Sequence, residues 1–286
     1  MKYCSHKLSV QNLLIGMCRG SPGVPRAIRR MGYRDRWIPG NLLGRTGTAA
    51  DPVLVLASAQ SRHSFFVEAC EGPEMDPARL DRYASMTAVD LRERTPLSQD
   101  QTELYGVAVF GLEEHRDTLR SSIRDSKLKP TLLLRTRDGL VMDANPFPKV
   151  ALANLFRPFL SLDWESAPLG WIAYDHESDL AEVAQAVIPQ VIAFAAGGVN
   201  RVKIGRVCED HLLWDLSTRA ARRQMRAKVS AALSSAAGHE FSEFFTLRSG
   251  ALTFSGTAQA AIRAPGSPTL KRMARHHAAL LERLAG

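Results

Sequence analysis

Two acids and a thiol stand at the ends of two neighbouring β-like runs. Asp51 precedes the run Val53 to Ala57, and Glu68 ends the run Ser64 to Glu68. A hairpin made of these two runs lets both carboxylates converge at one end. Cys70 would face the same place as Glu68, because strand side chains alternate with a period of two. The spacing therefore predicts that two carboxylates and a thiol lie together at one end of a hairpin, where they could act on a common ligand.

The segment from Ala50 to Tyr83, ADPVLVLASAQSRHSFFVEACEGPEMDPARLDRY, resembles the PD-(D/E)XK nuclease-like superfamily. In that superfamily a hairpin carries an Asp and a Glu-x-Lys, and a helix follows. The resemblance implies that Asp51 and Glu68 bind Mg²⁺ if the chain is an active enzyme. Hard carboxylate oxygens suit that ion, which activates water and neutralises charge on the phosphate. Cys70 stands in the place of the lysine.

The cysteine changes the expected activity. An ammonium group can orient the attacking water and stabilise charge on the phosphate, and a neutral thiol does neither well. Loss of one such contact costs roughly 10² to 10³ in rate. A basic or polar group elsewhere could replace the lysine, and the candidates are Arg79, Arg82, Gln60 and Arg62. The superfamily often has a Glu on its first helix, where this chain has Gln11. We therefore expect a degenerate site that cuts weakly or not at all.

Each of these residues also fits a purely structural role. Asp51 precedes Pro52 and fits a strand entry, while Glu68 fits a solvated strand end. Cys70 fits a partly buried, unreactive thiol, because no neighbouring motif supplies a base. The histidines lack metal-ligand spacing with a cysteine, so a histidine metal site is not predicted.

The order of predicted elements extends the resemblance over roughly residues 8–142. It runs helix, three strands, helix, strand, helix, strand, and the helix after the hairpin begins at Asp76-Pro77. This order predicts an α/β fold with a restriction-endonuclease-like mixed sheet flanked by helices. We assign residues 1–145 to this domain. The prolines in residues 146–176 predict a connector between this domain and a second one.

Residues 177–286 resemble a mainly helical, winged helix-turn-helix-like domain. The predicted elements are helices Ser178 to Ala195, Glu209 to Leu216 and Ser217 to Ala236, a hairpin of Phe244 to Leu247 with Ala251 to Phe254, and a helix from Pro268 to Leu284.

Basic residues cluster on the third of these helices and at the hairpin tip. The predicted DNA-binding residues are Arg219, Arg222, Arg223, Arg226, Lys228 and Arg248. Helical spacings of three and four place several of them on one face that could follow phosphates, while Met225, Val229, Ala232 and Leu233 occupy a face that can pack inward. A solvated charged helix face would have the same pattern.

The bulk composition favours a polyanionic partner. The formal charge is +8 and the pI is near 9.6, which strengthens phosphate binding at low salt. Aromatic residues are 7% of the chain, so duplex DNA is favoured over a single strand. The four cysteines form no C-x-x-C pair, so we expect reduced thiols. No apolar run reaches roughly 18 residues and no export signal is indicated, which predicts a cytoplasmic protein without a membrane span.

These observations lead to one favoured hypothesis and two alternatives. The favoured hypothesis is a duplex DNA-binding protein with a degenerate nuclease-like domain, which acts with protein partners in an assembly like those of bacterial defence systems or mobile elements. Binding would need no cofactor. The first alternative is an active Mg²⁺-dependent endonuclease. The second is a protein-docking subunit that binds no nucleic acid.

Overall fold

The computed structural model of the chain describes residues 5–20, 24–36, 54–95, 97–124, 126–157, 159–162, 164, 171–209, 211, 214, 217, 219–263 and 268–286. The chain divides into two compact units, Ser5–Trp171 and Ile172–Gly286. In the described part, no helix is both long enough and apolar enough to cross a membrane.

The first unit is an α/β unit built on a sheet of seven strands. Its elements in chain order are α1 (His6–Arg19), α2 (Ala27–Arg30), β1 (Arg34–Arg36), β2 (Leu54–Ser58), β3 (His63–Ala69), α3 (Pro77–Ala84), α4 (Ala88–Arg94), β4 (Leu104–Leu112), α5 (Arg116–Arg124), β5 (Thr131–Thr136), β6 (Gly139–Ala144), α6 (Val150–Leu155) and β7 (Leu160–Ser161). The prediction of an α/β fold with a mixed sheet and flanking helices is confirmed.

The seven strands lie side by side in chain order, from β1 to β7. The neighbours β3, β4 and β5 are parallel, and the other adjacent pairs are antiparallel. Parallel neighbours need a crossover connection, which α3 and α4 supply between β3 and β4, and α5 between β4 and β5. The strand β3 is therefore enclosed by neighbours on both sides, and every residue of it except Ala69 is buried.

One face of the sheet packs against α3, α4 and α5. On β3 the alternate residues Phe66 and Glu68 point to this face, because side chains alternate along a strand. The apolar residues that fill the space between sheet and helices include Val55, Phe66, Leu80, Tyr83, Leu91, Val109, Leu119 and Leu134. This core fixes α3 over β3.

The second unit combines helices with a small sheet. Its elements are α7 (Leu180–Ala196), β8 (Arg201–Lys203), α8 (Ile204–Glu209), α9 (Arg219–Gly238), β9 (Phe245–Arg248), β10 (Ala251–Phe254), α10 (Gly256–Arg263) and α11 (Pro268–Ala285). The small sheet has the order β8–β10–β9 and is antiparallel throughout. The helix α7 packs against α9 and α11.

Two predictions about the course of the chain need correction. The predicted helix Glu209 to Leu216 is wrong, because the helix lies at Ile204–Glu209 and the described residues His211 and Trp214 lie in a bend and a turn. Ile204, Val207 and Cys208 form its buried stripe. The stretch predicted as a connector contains α6 and β7. Pro146 and Pro148 precede α6, where a missing N–H does not break the helix.

Candidate functional site

Of the predicted acidic pair, Asp51 and Glu68, the structure describes only Glu68. Asp51 lies outside the described residues. Glu68 lies near the end of β3, and its side chain is only 1% exposed. The prediction that Glu68 could be a solvated strand end is wrong, because its carboxylate points into the space between β3 and α3.

The helix α3 provides two groups that bind Glu68. The Tyr83 hydroxyl donates a short hydrogen bond to Oε1, and Nη2 of Arg79 lies 2.5 Å from Oε2. Arg79 and Tyr83 are four residues apart, so they share one face of the helix. The start of α3 is fixed by Asp76, whose side chain accepts from the Ala78 N–H at 2.9 Å, with Pro77 in the first turn.

This arrangement uses the carboxylate internally. A buried carboxylate is stable only when it is paired and hydrogen-bonded; Arg79 supplies the opposite charge and Tyr83 supplies a hydrogen bond to Oε1. Mg²⁺ needs carboxylate oxygens that it can reach together with water. Among the described residues, the Glu68 carboxylate is engaged by Arg79 and Tyr83 and is shielded from water. Within the described ranges, no group of three or more His, Cys, Asp and Glu side chains is placed to hold one.

Cys70 lies close by and behaves as a buried thiol. Its residue is 8% exposed, and its Sγ donates to the carbonyls of Gly72 at 3.4 Å and Glu74 at 3.3 Å. Burial raises the pKa of the Cys70 thiol. Cys70 thus stays neutral, and it cannot supply the positive charge of the lysine whose place it takes.

Among the proposed replacements for that lysine, Arg79 contacts the acid. Arg82 lies 3.6 Å from Asp76, and Arg62 pairs with Glu103. Gln60 is exposed in the turn between β2 and β3. The basic group thus comes from the following helix, as the sequence suggested, but it forms an ion pair with Glu68.

The basic residues of α9 divide between exposed and internal roles. Arg219, Arg223 and Arg226 are exposed. On the opposite side, Met225, Val229, Ala232 and Leu233 are fully buried, as their spacing predicts. The exposed arginines follow one another at intervals of four and three residues, so they form one positively charged face.

The other two basic residues of α9 contact the protein itself. Arg222 donates from Nε to the Ser217 carbonyl at 3.1 Å, and its guanidinium lies 5.8 Å from the centre of the Trp214 ring. Lys228 donates a short hydrogen bond to the carbonyl of Ser178, just before α7. These contacts give Arg222 and Lys228 structural roles beside any role in binding.

Arg248 ends β9 and is exposed beside the hairpin turn. The turn residues Ser249 and Gly250 have φ of 49° and 70°. Positive φ at both central residues is typical of a type I′ hairpin turn, whose twist matches that of the strands. The tight turn keeps Arg248 at the end of the hairpin.

Sequence reasoning missed two further basic residues, Arg201 and Lys203. They lie on β8, which pairs with β10 and so adds a third strand to the hairpin. A half-buried strand is indicated by the alternation of polar and apolar residues in Arg201, Val202 and Lys203, which follow the helix end at Gly197-Gly198. Three residues are too few to establish such a pattern from the sequence.

Comparisons with family models, with curated proteins and with solved structures gave no match to this chain.

Proposed function

We propose that the chain binds duplex DNA through Ile172–Gly286 and that its first unit is a nuclease-like domain with a degenerate site. The observation that carries the proposal is the division of α9 into a buried apolar face and an exposed face with Arg219, Arg223 and Arg226. Phosphate contacts from such a face provide most of the affinity in non-specific DNA binding.

The connectivity of the second unit supports this proposal. Helix α7, strand β8, helices α8 and α9, and the hairpin β9–β10 follow one another, and β10 pairs back to β8. This order resembles a winged helix-turn-helix domain, in which the second helix of the helix-turn-helix enters the major groove. In that comparison α9 is the recognition helix and Arg248 lies at the wing.

The first unit supports the degenerate-site part of the proposal. The resemblance predicts the order helix, three strands, helix and strand, and the elements α1, β1, β2, β3, α3 and β4 follow one another in that order, with α2 and α4 as additional helices. Glu68 has the predicted position, but Arg79 and Tyr83 engage its carboxylate, and Cys70 is neutral. We therefore expect the chain to hold DNA without cutting it. A role with protein partners in a larger assembly stays a prediction.

The endonuclease remains the second candidate because of one contact. Arg79 reaches Glu68 from α3, which is where a displaced basic group would come from. Activity would require the ion pair to open so that Glu68 and Asp51 could bind a metal ion.

A gel assay with linear and plasmid duplex DNA tests both candidates. The protein is incubated with Mg²⁺, Mn²⁺ or EDTA at two salt concentrations. The variant Arg223→Ala/Arg226→Ala removes two exposed charges from α9, and the control Lys271→Ala/Arg275→Ala removes two exposed charges from α11. We expect salt-sensitive shifts without cutting, weakened by the α9 variant and not by the control.

Each contrary result has a distinct meaning. Metal-dependent cutting that is lost in Asp51→Ala would establish an active nuclease. Equal affinity in the α9 variant and the control would exclude α9 as the binding face. If no nucleic acid binds at either salt concentration, the protein-docking hypothesis replaces this one.

A further inference from the structure

The outer face of the three-stranded sheet gathers basic side chains from two strands. The register places Ala251 of β10 opposite Lys203 on one side and opposite Arg248 on the other. Paired residues in an antiparallel sheet point to the same face. Arg201 lies two residues before Lys203, so it shares that face as well.

The two faces of this sheet differ sharply in burial. Arg201, Lys203 and Arg248 are exposed, as are Thr246 and Thr253 on the same face. The alternate residues Val202, Phe245, Leu252 and Phe254 are buried. The apolar face therefore packs against the unit, while the basic and threonine side chains of the other face meet solvent.

The positive charge on this face is not balanced within the sheet. The strands β8, β9 and β10 carry three cationic side chains and no carboxylate. In the part of the chain that the structure describes, the ion pairs of the second unit join Arg272 and His276 to Glu243, and Arg283 to Glu240. None of them involves Arg201, Lys203 or Arg248.

The spacing of the three cations suits an extended anion. Arg201 and Lys203 are separated by two residues of a strand, about 7 Å, and Lys203 and Arg248 by two strand spacings, about 10 Å. Neighbouring phosphates of one DNA strand are spaced about 3.4 Å along the helix axis, so the face covers several of them. Thr246 and Thr253 add hydroxyl groups, which often donate to phosphate oxygens.

We propose that this face, Arg201, Lys203 and Arg248 with Thr246 and Thr253, is a second contact surface for the DNA phosphate backbone. The proposal rests on the proposed DNA binding, and it adds Arg201, Lys203 and the two threonines to α9 and Arg248. Its contacts are to phosphate, so it adds affinity and salt dependence without selecting a base sequence.

The test uses the full chain and a fluorescent duplex DNA. Binding is measured by anisotropy over a series of salt concentrations for the wild type, Arg201→Thr/Lys203→Thr, Arg223→Ala/Arg226→Ala, and the control Lys271→Ala/Arg275→Ala. Threonine keeps a high strand propensity, and circular dichroism checks that each variant is folded. The slope of log affinity against log salt reports the number of phosphate contacts.

We expect Arg201→Thr/Lys203→Thr to reduce the magnitude of the slope by about 1.8 and to weaken binding roughly 10- to 100-fold near 0.1 M salt. The effect should be the same for unrelated DNA sequences. A folded variant with the slope and affinity of the control would overturn the inference, even if the α9 variant binds weakly. Absence of binding by the wild type would overturn the proposed function itself, so the two failures are distinguishable.

Discussion

At the level of single residues, the carboxylate of Glu68 is held by two side chains of the next helix. Arg79 contributes the charge and Tyr83 a hydrogen bond, and both come from α3. Loss of Arg79 removes the positive charge that faces the buried carboxylate, which costs far more than the pair contributes when intact.

We therefore expect Arg79→Ala to lower the free energy of unfolding by about 2 to 4 kcal/mol, slightly below the usual loss for a buried pair, because Arg79 is 32% exposed. The measurement is urea denaturation. The control Arg82→Ala affects a pair with Asp76 whose acid is 58% exposed, and it should cost at most about 1 kcal/mol. Equal losses in the two variants would show that the Glu68 pair contributes no more than a surface pair.

A second residue-level prediction concerns His63, which is fully buried on β3. Its Nδ1 lies 2.7 Å from the Tyr33 hydroxyl. Burial lowers the pKa of His63 to about 4, and the charge of Lys149 acts in the same direction. In the unfolded chain His63 binds a proton near pH 6.5, whereas in the folded chain it does so only near pH 4. Its contribution to the free energy of unfolding is therefore fully present above pH 6.5 and is lost as the pH falls toward 4.

The contribution of His63 to this acid loss is on the order of 3 kcal/mol. His6, whose pKa burial also lowers, adds to it. We expect His63→Gln to be less stable at pH 7 but to lose less stability between pH 7 and 4.5, as measured by urea denaturation. The control His239→Gln removes an exposed imidazole and should keep the acid dependence of the parent. An unchanged dependence in His63→Gln would contradict the assignment.

At the level of elements, local sequence signals predicted α3 well. Its start at Asp76-Pro77 is confirmed, and it ends at Ala84. We expect Asp76→Ala to cost about 1 kcal/mol, because the first turn loses its side-chain acceptor. The comparison is Asp81→Ala, which removes an exposed acid from the middle of the same helix. Urea denaturation that gives the same loss for both would show that the cap contributes nothing specific.

Elements that depend on distant pairing could not be predicted in this way. The strands β7 and β8 have two and three residues, too few for a periodic pattern, and they exist because β6 and β10 lie beside them. The helix α4 is absent from the predicted order of elements, although Thr87 and Asp90 form a capping box at its start. Missing β8 also meant missing Arg201 and Lys203.

The candidate site shows the same limit. The sequence predicted that Glu68 lies at the end of a strand and that Arg79 lies on the next helix. It could not show that they form an ion pair, because that contact depends on how α3 packs across β3 through Phe66 and Tyr83. The sequence thus predicted which residues lie near the end of the strand. The packing of α3 on β3 determines whether the Glu68 carboxylate can contact a ligand.

At the level of the whole molecule, each unit has a core of its own. In Ile172–Gly286 the core draws on every helix and on the small sheet, and its buried residues include Val187, Val191, Met225, Val229, Leu252 and Leu280. Domains of about this size can bury enough apolar surface to fold without the rest of a chain.

We expect residues 172–286, expressed alone, to unfold in a single cooperative transition and to keep the salt-dependent binding of duplex DNA.

Burial lowers the pKa of His211 to about 4 and also lowers that of His277, so the fragment should lose stability as the pH falls from about 6.5 toward 4. Calorimetry and anisotropy at two pH values measure both properties. If the fragment folds but binds no DNA while the full chain binds it, the binding surface lies in residues 5–171. If the fragment is unfolded, the division into two units does not correspond to independent folding.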